Sequence, residues 1–223
     1  VIRLQNLALL TAVILLTSPG VSFSAMRHAN IDIAIAHNDL ADVKAHVQNN
    51  ESCLKSGHHS SLSPLHQSIL RKRIAIAHYL IKAGAPVNAI DNSQRTPLHL
   101  CVERNTHELV PVLVKAGAKT ESLDKVGWTP LHHAAAKNRY SMAQSLIANG
   151  ADCLTQSACG GIPLHEAAVS GGKEIIQLLL DCGSNPSSAA HNSDTPFLLA
   201  VKANNQTAIT LFEAYLKQQR NQN

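Results

Sequence analysis

Thr129-Pro130-Leu131-His132 stands near the middle of the chain, and the same phrase returns on both sides of it. Thr96-Pro97-Leu98-His99 precedes it and Ile162-Pro163-Leu164-His165 follows it. Looser copies, Ser63-Pro64-Leu65-His66 and Thr195-Pro196-Phe197-Leu198, stand outside these. The prolines at 64, 97, 130, 163 and 196 fall 33 residues apart at every step. A fixed period of that size marks a repeat architecture, in which each unit packs only on its neighbours.

Residues at fixed offsets from the prolines give the unit its form. A glycine follows each of the first four prolines by twenty residues: Gly84, Gly117, Gly150 and Gly183. Proline suits a first helical turn, where its missing N–H costs nothing, and glycine suits the left-handed position just past a helix end. Four residues after each proline comes a small residue (Ser68, Cys101, Ala134, Ala167, Ala200), which lets two helices approach closely. Sixteen residues after it comes a large apolar one (Leu80, Leu113, Leu146, Leu179, Phe212), suited to filling the seam between stacked units. Each unit reads as turn, short helix A, tight turn, longer helix B and glycine cap. Thr106 is read as the N-cap of one helix B. Pro111, early in that helix, predicts a local irregularity there.

These phrases resemble the ankyrin repeat over residues 62–218, with a weaker unit before them. The resemblance implies an all-α solenoid of five stacked helix-turn-helix repeats with short hairpin turns. It also implies that the His and Thr of the phrase bond each other and nearby backbone, tying turn to helix. Partners in this family are held by the hairpin tips and the exposed side of helix A.

The ends of the chain read differently. Residues 1–24 look like a secretory signal: Arg3, the apolar run Leu7 to Leu16, then Pro19-Gly20 and small residues before a cleavage point after Ser24. The run is too short for a spanning helix, which needs roughly 20 residues; an uncleaved anchor is the alternative. Val1 in place of Met suits a fragment or an unusual bacterial start codon. The expected location is periplasmic or secreted, without stable membrane insertion once the signal is removed. Residues 25–61 read as a degenerate capping helix pair and a connector, and residues 219–223 as a disordered tail.

Composition narrows the function. The net charge of +4 is too mild to imply nucleic acid, and aromatics at 3% suit a stack built on Ala and Leu. The sequence carries no G-x-S-x-G elbow, phosphate loop or dinucleotide fingerprint, so no catalytic residue, cofactor or metal is assigned. A metal ladder along His66, His99, His132 and His165 is disfavoured, because units stack about 10 Å apart and zinc needs ligand nitrogens near 2 Å. His58-His59 is read as a solvated connector and Cys101 as inert packing. Of the five cysteines, Cys153 and Cys159 flank one turn closely enough for a bridge after export; Cys182 competes for Cys153, and free thiols are the plainer reading.

What remains is surface. Arg71, Lys72, Arg73, Arg104, Lys137 and Arg139 fall at inter-helix turns of the first three repeats, where the last two repeats are neutral. The candidate partner-binding residues are Arg71, Arg95, Arg104, Lys125, Trp128, His133 and Lys137. Trp128 is an anchor candidate, although its slot takes aromatics for packing. The expected function is non-catalytic binding of a protein partner, with an acidic segment along repeats one to three, by a monomer. A secreted effector acting on a host protein is the alternative.

Overall fold

Proline sets where each A helix starts. Pro64, Pro97, Pro130, Pro163 and Pro196 are each the first residue of a helix, preceded by an extended residue. The computed structural model describes residues 26–55 and 62–222. The signal reading of residues 1–24 and the His58-His59 connector lie outside the described residues.

Among the described residues six helix pairs follow one another. The first is α1 (Ile31–Ala36) with α2 (Leu40–Asn49), followed by a 3-10 turn over Glu51–Leu54. Next come α3 (Pro64–Leu70) with α4 (Ile74–Lys82), and α5 (Pro97–Arg104) with α6 (Val110–Lys115). Then α7 (Pro130–Ala136) pairs with α8 (Tyr140–Ala148), α9 (Pro163–Ser170) with α10 (Lys173–Asp181), and α11 (Pro196–Lys202) with α12 (Gln206–Gln222). Each A helix packs on the next A helix and on its own B helix, so contacts stay between neighbours. The described residues are all helix, turn and loop.

The offsets read from the sequence settle the packing. Leu80, Leu113, Leu146, Leu179 and Phe212 are fully buried, and so are Ser68, Cys101, Ala134, Ala167 and Ala200. Gly84, Gly117, Gly150 and Gly183 take φ from +88° to +98°. A side chain at these four would meet nothing within 4 Å, so the backbone angle, not space, calls for glycine. The N-terminal pair lacks the proline phrase and uses side-chain caps instead. Asn30 and Asp39 accept from the N–H of Ile33 and Asp42 at 3.0 Å each. Buried Asp42 accepts from the N–H groups of Arg27 and His28, at 2.9 Å each, and holds the entering chain down.

Pro111 does produce an irregularity: the first turn of that B segment is a 3-10 turn, His107–Leu109, and the α-helix starts only at Val110. Thr106 does stand at the N-cap of that turn, but its side chain makes no cap bond there. The tail expected from residue 219 instead continues α12 as far as Gln222, because no glycine ends the last unit.

The disulfide is a correction. Cys153 is bonded to Cys182, with Cα atoms 6.3 Å apart, whereas Cys159 is a free, exposed thiol. The hairpin closes through Ser157 N–H to Gly161 O at 2.8 Å, which puts Cys159 inside the turn and away from Cys153. Cys153 lies just beyond the glycine cap of α8, and stacking brings it to Cys182 at the end of α10.

Two outcomes check this packing. Leu146→Ala should lower the unfolding free energy by about 2–5 kcal/mol in urea titration; a loss under about 1 kcal/mol contradicts the register. Non-reducing peptide mapping should find Cys153 linked to Cys182, and reduction should lower stability by about 2–4 kcal/mol. A 153–159 linkage, or full alkylation without reduction, contradicts the pairing.

Candidate protein-interaction surface

The hairpin tips are built first by aspartates. Asp91 Oδ1 accepts from the N–H of Ser93 at 2.8 Å and of Arg95 at 2.9 Å. Asp124 Oδ1 does the same for Val126 and Trp128, each at 3.0 Å. Burial alone would raise both carboxyls; these amides, with Arg95 for Asp91 and His133 for Asp124, hold them below the usual carboxylate range. Where Ser157 and Ala190 replace aspartate, the turn still closes through the backbone, Ala190 N–H donating to Asp194 O at 2.9 Å.

Successive tips are bonded edge to edge. Lys125 N–H donates to Ser93 O at 2.9 Å, Ala158 N–H to Gly127 O at 2.9 Å, and His191 N–H to Cys159 O at 3.1 Å. Gly127 is required at its place: φ is +84°, and a Cβ there would lie 2.2 Å from that of Ala158. The tips therefore form a continuous edge whose members cannot move independently.

The phrase histidines fasten each unit to the next. The Nε2–H of His66, His99, His132 and His165 donates to the carbonyls of Arg95, Trp128, Gly161 and Asp194, at 3.3, 3.0, 3.0 and 3.2 Å. A carbonyl only accepts, so the proton is on Nε2 and Nδ1 is left as an acceptor; at His165, whose Nδ1 also lies 3.2 Å from the Ile162 carbonyl, the shorter Ile162 N–H contact makes the same assignment. Nδ1 duly receives the hydroxyls of Ser63, Thr96 and Thr129 at 2.7, 2.9 and 2.8 Å, and at His165 the N–H of Ile162 at 3.0 Å. Burial lowers the basicity of all four imidazoles, His132 down to about 4. The turn-to-helix tie implied by the family resemblance is present, and it extends across the repeat boundary.

The basic residues divide into two groups. Arg73 donates to Ala36 O at 3.0 Å, Arg104 to Leu70 O at 2.6 Å and Arg139 to Val102 O at 2.5 Å. Each carbonyl belongs to the C-terminal part of the preceding A helix, where a cation also complements the helix dipole. Ser170 and Asn205 serve the later units in the same way, bonding Ala136 O at 2.7 Å and Ala168 O at 3.1 Å. Arg104 is thus a scaffold residue as well as a surface one. Arg95 is neutralised: it bonds Asp91 at 2.8 and 2.9 Å and also pairs with Glu103. Arg71, Lys125 and Lys137 are exposed, and their side chains have no ion pair or hydrogen bond among the described residues.

Arg95, His133 and Lys137 come together, with His99 and Glu103, around a polar recess of about 150 Å³ on the helix-A face of α5 and α7. His133 donates to Asp124 at 2.8 Å and meets the Trp128 ring edge-on, centroids 4.9 Å apart. Trp128 is half-buried and held by its own backbone. Arg71 lies one unit away, at the end of α3, and Lys125 out on a tip. Sequence reasoning missed the acids that compensate Arg95 and His133; the signal was the Asp at the head of each early tip. Cys101 is fully buried and burial pushes its thiol up to about 12, as suits packing.

Stacked helix pairs, a bonded row of tips and an inner helix face define a helical repeat solenoid. A family model described as ankyrin repeats (3 copies) matches residues 31–124, 65–157 and 131–222, and the chain belongs to that family. Ankyrin repeats are generally protein–protein interaction modules. No curated protein matches the chain. Among the described residues no helix is long and apolar enough to cross a membrane.

The imidazole bridges make stability depend on pH. His132 is neutral when folded down to about pH 4, whereas unfolded it takes up a proton near 6.5. The unfolded chain binds more protons between these values, so the contribution is intact above pH 6.5 and is lost as pH falls toward 4. The urea midpoint of the protein should fall between pH 7 and 4.5. His132→Gln should start lower at pH 7 and fall less. An equal fall in both contradicts the buried neutral imidazole.

Proposed function

We propose that the protein is an exported, non-catalytic binding protein that holds an acidic segment of a protein partner along its hairpin tips and helix-A face. In this reading five ankyrin repeats over residues 62–218 stand behind a capping pair in residues 25–61 and a signal over residues 1–24. The observation that carries the binding surface is a set of uncompensated cations: Lys125 on the bonded row of tips, Lys137 beside His133 at the recess, and Arg71 at the end of α3. A preformed edge binds with little ordering cost, and its exposed side chains choose the partner. Export is supported by the apolar run at Leu7–Leu16 and by the Cys153–Cys182 bridge, which suits an oxidising compartment.

Affinity capture from native extract, followed by titration of the captured partner, tests the reading. Arg71→Glu with Lys137→Glu should weaken binding by about tenfold or more and flatten its salt dependence, because both residues are free of scaffold bonds. Unchanged affinity and salt slope would remove this surface from the account.

A further inference from the structure

The inner face commits most of its arginines to helix ends and carboxylates, whereas Lys82 and Lys115 on the outer, helix-B face are free. Between α4 and α6 runs an open groove of about 470 Å³, bordered by His78, Tyr79, Lys82, Val112, Lys115 and Ala116. It lies over the C-terminal turns of both helices, at equivalent positions of two successive units. The groove is apolar inside: Tyr79 and Val112 are half-buried and Ile81 is buried beside them.

Its rim is cationic. Lys82 and Lys115 occupy the same place in successive units, are exposed, and have no ion pair or side-chain hydrogen bond among the described residues. Lys44 of α2 sits over the Tyr79 ring, 5.7 Å from its centroid. The nearest acid on the second helix segment, Glu108, is at its opposite end and beside His107 at 3.8 Å. In the next two units the lysine position becomes Ala148 and Asp181, so a lysine at this place is confined to the units that form the groove.

We propose that this groove is a second docking site, for an amphipathic helix of a partner protein that sets apolar side chains between α4 and α6 and carries Asp or Glu along its flanks. An apolar slot with lysines on both rims complements that helix in shape and in charge. A lipid surface fits it less well, since the apolar side chains are recessed between the helices and the lysines stand beyond them. The site shares no residue with the tips or with the helix-A recess, so both can be filled at once.

Fluorescence anisotropy with a labelled synthetic helix, leucines on one face and glutamates flanking them, tests this on the intact protein. Saturable binding is expected, weakened by about tenfold or more in Lys82→Glu/Lys115→Glu and unaffected by Arg71→Glu/Lys137→Glu. A helix with lysine flanks should bind the double lysine variant better than the unaltered protein. Circular dichroism of each variant checks that the stack is intact, as expected for exposed positions. Three results overturn the proposal: no saturable binding, binding indifferent to Lys82 and Lys115, or capture through these lysines of phosphatidylglycerol vesicles but not of the peptide.

Discussion

A neutral, buried imidazole that donates to a carbonyl of the next unit is the interaction on which the rest of this structure depends. Hydrophobic burial alone would let helix pairs slide on one another, because Ala and Leu surfaces are tolerant of register. The histidine removes that freedom. Its Nδ1 is held by the residue that starts its own helix, and its Nε2–H reaches the hairpin 29 residues on, at 3.0 Å for His99 and His132. Both nitrogens are satisfied, so the burial of a polar ring carries no orphaned group. The price is that the ring must stay uncharged, which ties the fold to neutral or higher pH.

Rigidity at this joint is what makes an edge useful. Each tip is closed internally and bonded to its neighbours, and the histidine anchors it to the helix behind. Side chains such as Lys125 and Trp128 are then presented at fixed positions. The same economy explains the arginines. Arg73, Arg104 and Arg139 reach back across unit boundaries to helix-end carbonyls, so positive charge that reads as a binding face is partly the means by which A helices are aligned. The charge left free is therefore sparser on the inner face than composition implies, and it includes Lys82 and Lys115 on the outer one.

The scaffold was legible because it depends on local, periodic chemistry. Pro97 or Gly150 acts through its own backbone angles, and Leu146 or Ala134 through size at a fixed offset, so their roles follow from position alone. Pro111 was readable for the same reason. The surface was less legible because its bonds are long-range. Whether Arg104 is free depends on where Leu70 O lies, and whether Arg95 is charged to a partner depends on Asp91 and Glu103. Cys159 is nearer than Cys182 to Cys153 in sequence, but the turn closed by Ser157 and Gly161 separates the near pair while stacking joins the far one. The groove beside Tyr79 lies between the B helices of two successive units, a relation that no single repeat displays.

The most direct test of the account is the tautomer of the phrase histidines. Long-range proton–nitrogen correlation NMR on labelled protein at pH 7 should show His66, His99, His132 and His165 neutral, with the proton on Nε2 and protected from exchange. Finding these rings protonated on Nδ1, or titrating like free histidine near pH 6.5, would contradict it, because the bond from each unit to the next would then be absent.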